Sequence, residues 1–196
     1  MEAVETRGWR WLALRRHIVE WFKSMALALV LAILLRALVL EGFWIPSGSM
    51  RPTLQPGDYI LVNRLVYRIH PPRLGDVIVF RYPRDEHWEF VKRVIAGPGD
   101  VVEERDGHFW VDGSRLRQPF ASSAAGRGSP GPTVNFGKIP PDKFFVLGDN
   151  RGNSLDSRFW GTVDERNVIG KAFLIYWSQG EHWWNVRWER IGKWLP

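Results

Sequence analysis

The hydrophobic residues of the chain form one long run near the N-terminus and several short runs after it. Eleven consecutive apolar residues occupy positions 25–35, and apolar residues continue after Arg36. A membrane-spanning helix needs about 20 mostly apolar residues. This stretch is apolar on every face rather than along one stripe, and it reaches that length if the Arg36 side chain extends toward an interface. We therefore predict a transmembrane helix over residues 21–41.

Basic residues precede the uninterrupted apolar run at 25–35. Those that bear on its orientation are Arg7, Arg10, Arg15, Arg16 and Lys23. An excess of arginine and lysine before a span indicates a cytoplasmic N-terminus, and no small-residue cleavage site follows, so we expect the anchor to be retained. The sequence thus predicts a cytoplasmic segment at 1–20, a single pass through the cell membrane, and an extracytoplasmic domain over residues 42–196.

The short hydrophobic runs are rich in β-branched and aromatic residues. They occupy residues 59–62, 77–80, 90–95, 108–111, 144–147 and 172–177. Short strands punctuated by Gly-Asp turns predict a mostly β barrel or sandwich. Asp106-Gly107 and Asp112-Gly113 bracket a predicted hairpin, and residues 121–133 have the composition of a flexible surface loop. The Trp-rich basic tail, residues 181–196, predicts a short element that lies on the barrel or, less favoured, on the membrane.

Composition narrows the classes of function. The chain has 196 residues and no cysteine, which excludes disulfides and thiolate zinc sites, and its five histidines lack metal-ligand spacing. The net charge of +6 is usual for a solvated basic surface. If this charge has a functional role, binding to anionic lipid headgroups is favoured over binding to nucleic acid, because no basic run is dense enough to bind nucleic acid. Several of the 12 tryptophans lie near the chain ends, as in proteins at a membrane interface.

Three polar segments carry candidate chemistry. Ser49 lies in a turn where Pro46 and Pro52 restrict the backbone, and a rigid turn can aim N–H groups at a developing oxyanion. Lys92 has apolar neighbours in a predicted strand; if it points inward, burial lowers its pKa and allows it to take a proton from Ser49. Residues 148–161 form a third polar segment. Each feature alone also fits an ordinary turn, an exposed lysine or a hydrogen-bonded loop. A Ser-His-Asp triad is possible in principle, but no histidine has a local signature for it.

Together these segments resemble bacterial type I signal peptidase, the membrane-bound serine protease that removes signal peptides from exported proteins. The likeness extends over residues 24–178 and lies in five ordered segments: 45–54, 59–62, 75–80, 91–100 and 148–161. Five matching segments in the same order are far more specific than any one of them.

The resemblance implies a role for each matched residue. Ser49 would be the nucleophile, Lys92 the general base, and Ser154 the hydrogen-bonding partner that orients the Lys92 amine. The Ser47 hydroxyl and the Ser49 N–H would form the oxyanion hole. The ion-pairing residues expected to support the site are Arg93, Asp149, Asp156 and Arg158. The residues expected to line shallow pockets for small side chains, with an Ala-X-Ala preference, are Phe43, Ile45, Met50, Leu54, Ile60, Val79, Phe90 and Val91.

The same resemblance implies no metal or organic cofactor, a small second β-subdomain at about 101–143, and a monomer whose partners are signal peptides and membrane lipids, with no nucleic acid. Gly152 departs from the family pattern, which often has an acidic residue there. Two alternatives stay open: a Ser/Lys peptidase that matures one dedicated partner, and a non-catalytic, membrane-tethered binding module with the same fold.

Overall fold

The computed structural model describes residues 5–117, 134–180, 182 and 184–196, without the side chains of residues 5–16 and 34–38. The predicted loop at 121–133 and residues 181 and 183 of the predicted tail lie outside the described residues. The chain divides into two compact units, Met1–Leu40 and Glu41–Pro196.

The first unit contains one helix, α1 (Glu5–Val39), which begins 16 residues before the predicted span. Large apolar side chains are exposed along its described part, among them Trp21, Phe22 and Met25. In the described part of the chain, no helix combines the length and the apolarity needed to cross a membrane. The prediction of a transmembrane helix over 21–41 is therefore not confirmed. The last two residues of that range, Leu40 and Glu41, are strand and not helix, while the side chains of residues 34–38 lie outside the description.

The second unit is built from strands, numbered here in chain order. They are β1 (Leu40–Trp44), β2 (Asp58–Asn63), β3 (Val77–Tyr82), β4 (Asp85–Ala96), β5 (Val101–Arg105), β6 (His108–Val111), β7 (Ser114–Arg115), β8 (Val134–Lys138), β9 (Lys143–Leu147), β10 (Val163–Asp164), β11 (Val168–Ser178) and β12 (Lys193–Trp194). Two short helices, α2 (Val66–Ile69) and α3 (Ser157–Trp160), lie between strands. In the described residues, 3-10 turns occupy Arg151–Asn153, Glu165–Asn167 and Trp188–Arg190. The prediction of a mostly β fold is confirmed, and each of the six predicted runs lies inside a strand.

Two sheets make up this unit in the described residues. The larger has the order β1-β2-β11-β3-β4-β9-β10, with β12 also paired to β11, and the smaller has the order β7-β6-β5-β8. The smaller sheet falls within the range expected for the second subdomain. The predicted hairpin is confirmed: Asp106-Gly107 joins β5 to β6, and all four turn residues have positive φ, as two-residue turns between twisted strands require.

Three apolar clusters fill the interior. The first packs the segment after β1 onto β2, β3 and β11, with Met50, Leu54 and Ile60 fully buried. The second lies between β3, β4, β9 and α3, and the third joins the two sheets through Phe109 and Phe145. The first cluster matters most for the site, because it anchors the turn that carries Ser49.

The described part of the C-terminal tail packs on the larger sheet. Trp194 lies opposite Leu174 in the β11–β12 pair, and the buried Arg190 side chain donates to both carboxylate oxygens of buried Asp58, at 3.0 and 2.6 Å. The Arg190 side chain also donates to the Thr53 carbonyl at 2.9 Å. The tail therefore holds the segment that follows the Ser49 turn.

Candidate active site

The turn between β1 and β2 carries Ser49 and is anchored at both ends. Ile45 N–H donates to the Asp58 carbonyl and Gly57 N–H donates to the Ile45 carbonyl, each at 2.9 Å. Within the turn, Leu54 N–H donates to the Met50 carbonyl at 2.9 Å. Because Ile45, Met50 and Leu54 are buried in the first cluster, the half-buried Ser49 is carried on a fixed support.

Strand β4 brings Lys92 to this turn. Lys92 pairs with Ile78 of β3, its side chain is buried, and its Nζ donates to Ser49 Oγ at 2.7 Å. Burial lowers the pKa of Lys92 from 10.5 to about 8, although the negative charges of Asp156 and Asp149 oppose the shift. Loss of hydration disfavours the ammonium form, so Lys92 becomes a neutral amine, able to accept a proton, at a lower pH than an exposed lysine does.

Ser47 lies on the same turn as Ser49. The two Oγ atoms are 3.3 Å apart, within hydrogen-bond distance. The Ser47 hydroxyl therefore lies directly beside the Ser49 hydroxyl, and its role in an oxyanion hole stays a prediction.

The loop after β9 closes the site from the opposite side. Asn150 N–H donates to the Ser49 carbonyl, and the Asn150 side-chain Nδ2 donates to the Gly48 carbonyl, each at 3.0 Å. Gly148 allows this approach: a Cβ there would lie 2.5 Å from the Ser49 carbonyl oxygen and closer still to Ser154 Oγ. The turn that carries Ser49 and the loop at residues 148–158 are thus in direct backbone contact.

Ser154 differs from the arrangement expected from sequence. Its Oγ is buried and has no hydrogen-bond partner in the described part of the chain, so the hydrogen bond predicted between Ser154 and the Lys92 amine is not formed in this structure. The hydroxyl instead packs against Gly148. The orienting role of Ser154 stays a prediction.

Arg93 and Asp149 form a fully buried, two-pronged ion pair. Arg93 Nε and Nη2 donate to the two Asp149 oxygens at 2.9 and 2.7 Å, and Thr53 Oγ1 donates to Asp149 at 2.5 Å. Fork-to-fork pairing of this kind fixes geometry as well as charge. The pair therefore links three segments: Arg93 lies next to Lys92, Thr53 follows the Ser49 turn, and Asp149 lies at the start of the 148–158 loop.

Asp156 and Arg158 organise the rest of that loop. The Asp156 carboxylate accepts from Gly148 N–H at 3.0 Å and from Arg158 Nε at 2.8 Å. Arg158 Nη2 in turn donates to the Arg151 carbonyl at 2.7 Å. The four residues expected to support the site therefore all lie beside it and hold its backbone.

A cleft of about 570 Å³ opens over Ser49 and Lys92. Of the predicted pocket residues, those that line it are Phe43, Ile45, Met50, Val79, Phe90 and Val91. Leu54 and Ile60 do not line it, because both are fully buried in the cluster beneath. Cleft residues that sequence reasoning missed include Trp44, His87, Trp88, Glu89, Asn153 and Leu155. The signal for His87–Glu89 was present, since these residues directly precede Phe90 on one strand.

The β4 strand presents an open edge in this cleft. On one side its residues pair with β3 from Asp85 onward, but on the other side pairing with β9 begins only at Arg93. Among the described strands, none covers the second edge before Arg93. Unpaired N–H and C=O groups along such an edge can accept an extended peptide as an added strand.

Comparison with known proteins places the chain in a family by its sequence. A profile of the family described as signal peptidase, peptidase S26, matches residues 18–177. The signal peptidase I of Leptolyngbya laminosa is 39% identical over 82% of this chain and 80% of its own length. A probable signal peptidase I-1 of Synechocystis is 38% identical over 91% and 89%. A crystal structure of a signal peptidase I from Enterococcus faecalis, 32% identical, aligns with 51% of this chain and 95% of its own at a TM-score of 0.46.

The family profile and the sequence relatives define a peptidase, and so a hydrolase. The chain belongs to the signal peptidase family, peptidase S26.

Proposed function

We propose that this chain is a membrane-associated serine endopeptidase that removes N-terminal signal peptides from exported preproteins with a Ser49/Lys92 dyad. The observation that carries the proposal is the 2.7 Å contact between Lys92 Nζ and Ser49 Oγ at a buried position. A base must lie within hydrogen-bond reach of the proton it takes and have a pKa near the working pH, and Lys92 meets both conditions.

The reaction follows from this geometry. The neutral Lys92 amine takes the Ser49 proton as Oγ attacks the scissile carbonyl carbon, and the C=O π electrons move onto oxygen. The Ser47 hydroxyl and the Ser49 N–H donate to that oxyanion. As the C–N bond breaks, the Lys92 ammonium returns its proton to the leaving amine, which leaves an ester on Ser49. Lys92 then activates a water that hydrolyses the ester.

Substrate selection follows from the cleft. The apolar side chains of Phe43, Ile45, Met50 and Val79 line the cleft beside Ser49. We expect this apolar lining to receive the small residues of an Ala-X-Ala site, as the resemblance to the family implies. The open edge of β4 would pair with the substrate backbone and set its register.

We also propose that α1 attaches the enzyme to the membrane, with its N-terminus on the cytoplasmic side. Support comes from its exposed apolar side chains, such as Trp21, Phe22 and Leu29, because unpartnered apolar surface of this extent marks an interaction site. Carbonate extraction tests attachment and protease protection of a tagged N-terminus tests orientation. Release of the full chain by carbonate would contradict attachment. Chromatography in detergent tests whether the enzyme is a monomer, as we expect.

The test of the dyad is cleavage of a purified preprotein with an Ala-X-Ala site, read by N-terminal sequencing of the product. The full chain in detergent should cut after the second alanine, whereas Ser49→Ala and Lys92→Ala should not. Lys138→Ala, which removes an exposed lysine on β8, is the matched control and should cut normally. Activity in Ser49→Ala or Lys92→Ala would refute the dyad. Failure of the wild type on this substrate, while a known signal peptidase cuts in parallel, would favour a dedicated partner or a binding module.

A further inference from the structure

Asn150 donates hydrogen bonds to the backbone carbonyls of Gly48 and Ser49. Its Nδ2 donates to the Gly48 carbonyl at 3.0 Å, and its backbone N–H donates to the Ser49 carbonyl at 3.0 Å. These contacts join segments 102 residues apart in sequence. Neither the sequence segments nor the proposed chemistry assigns this side chain a role.

The Gly48 carbonyl belongs to the same peptide unit as the Ser49 N–H, which is the proposed oxyanion donor. The C=O of Gly48 and the N–H of Ser49 belong to one planar peptide unit, and in a trans unit the two point in opposite directions. A bond that holds the carbonyl toward Asn150 therefore directs the Ser49 N–H away from Asn150. A hydrogen bond to the Gly48 carbonyl therefore orients the whole peptide unit.

This peptide unit needs an external restraint. Gly48 has the largest conformational freedom of any residue type, so rotation of the Gly48–Ser49 unit is resisted little by its own chain. The Gly48 carbonyl also accepts from Arg51 N–H at 3.2 Å, but Arg51 belongs to the same turn and moves with it. Asn150 is the contact from outside the turn.

Asn150 is itself held in place. The preceding residue, Asp149, is fixed by the buried Arg93 pair, and the Asn150 carbonyl accepts from Asn153 N–H at 3.0 Å. An amide facing a carbonyl oxygen must present its NH₂ group, which determines how the side chain is oriented. The restraint on Gly48 is thus tied to the most deeply buried ion pair of the site.

We propose that Asn150 is a positioning residue for the oxyanion hole: it orients the Gly48–Ser49 peptide so that the Ser49 N–H points at the developing oxyanion. The inference rests on the proposed Ser49 chemistry. Asn150 touches no reacting atom, and it acts only on the direction of the N–H donor.

The test compares Asn150→Ala and Asn150→Leu with the wild type on one Ala-X-Ala peptide in detergent. Both variants keep the backbone N–H bond to Ser49 and lose the Nδ2 bond to Gly48. Removal of an oxyanion donor costs about 10²–10³-fold in kcat, so a misdirected donor should lower kcat by roughly 10- to 100-fold. KM and the pH midpoint of kcat/KM should stay as in the wild type, because the cleft and the Lys92–Ser49 contact are unchanged. Gly152→Ala, an exposed position in the same loop with nothing within 4 Å of a new Cβ, is the control.

The possible outcomes separate this inference from the proposed function. Wild-type cleavage with Ser49→Ala inactive establishes the function first, and without it the function itself has failed. Given that result, unchanged kcat in both Asn150 variants overturns the positioning role. A shift of the pH midpoint would mean that Asn150 acts on Lys92 instead, and a loss explained by unfolding at the assay temperature would mean that it acts on stability. Either of these results also overturns the inference.

Discussion

Substitution of Gly148 by alanine should displace Ser49, the proposed nucleophile. A Cβ at this position would lie 2.5 Å from the Ser49 carbonyl oxygen, whereas contacts of this kind are about 3.3 Å or more, so something must move by roughly 0.5–1 Å. The Ser154 Oγ can rotate away, but the Ser154 Cβ would lie 2.6 Å from the new Cβ and is fixed to its own backbone. The Ser49 carbonyl is backbone too and is held by Asn150 N–H, so relief has to shift the turn that carries Ser49 relative to the 148–158 loop.

The magnitude follows from that displacement. A misplacement of about 1 Å at a reacting group can cost about 10²-fold in rate, and we expect kcat/KM of Gly148→Ala to fall by about that factor. Overpacking a filled site also costs about 1–3 kcal/mol of unfolding free energy. The assay is cleavage of a fluorogenic Ala-X-Ala peptide, with urea denaturation measured in parallel.

Two further variants make the test specific. Gly152→Ala places the same methyl group four residues along the loop, where nothing lies within 4 Å, and it should leave activity and stability nearly unchanged. Gly148→Ala combined with Ser154→Ala removes the contact with the Ser154 Oγ but leaves the clashes with the Ser154 Cβ and the Ser49 carbonyl, so it should not recover activity. If Gly148→Ala alone retained activity within threefold of Gly152→Ala, the reasoning from this close contact would be wrong.

The remaining predictions concern the buried charges. Because only the neutral Lys92 amine accepts a proton, kcat/KM should be lost as pH falls through about 8, and a pH profile from 5.5 to 10 with a midpoint below 6 would contradict this. The pKa of Lys92, lowered from 10.5 to about 8, corresponds to about 3 kcal/mol of destabilisation below pH 8. Between pH 8 and 10.5 the unfolded chain binds more protons, so wild-type stability rises with pH. Lys92→Met should therefore raise Tm at pH 7, and the gain should shrink at pH 10; an equal gain at both would exclude the linkage. Asp149→Asn leaves Arg93 buried without its carboxylate and should cost about 3–5 kcal/mol in urea denaturation. Asp164→Asn, which affects only partly exposed ion pairs, should cost at most about 1 kcal/mol.

Several of the strands that the sequence predicts are buried through runs of their own apolar residues, although β6, also predicted, is only partly buried. In β3, Val77–Phe80 are all buried, so an apolar run was visible. β5 (Val101–Arg105) and β8 (Val134–Lys138) are only partly buried, and their place in the sheet depends on pairing with each other. Such pairing is a tertiary property that local pattern does not carry.

The residue types of the candidate site could be predicted from the sequence, but the burial of each side chain could not. Ser49 and Lys92 were identified as a pair by their motifs, but the motifs could not show that Leu54 and Ile60 lie beneath the cleft instead of lining it. The hydrogen bond from Asn150 to the Gly48 carbonyl joins two loops that are 102 residues apart in sequence. Residue spacing along the chain does not predict such a contact. For α1, the apolar run predicted a helix correctly, but the range of a span was not confirmed by the described residues.

The open edge of β4 also bears on how the protein avoids self-association. An unpaired strand edge invites pairing with any extended chain, including the same edge of a second molecule, and natural sheets commonly guard such edges with charge. Asp85, Glu86 and Glu89 are exposed on this part of β4. Two β4 edges brought together would juxtapose these like charges, whereas a substrate with a neutral segment would meet no such repulsion. Acidic residues beside the cleft thus allow the edge to stay open to a substrate while discouraging aggregation through it.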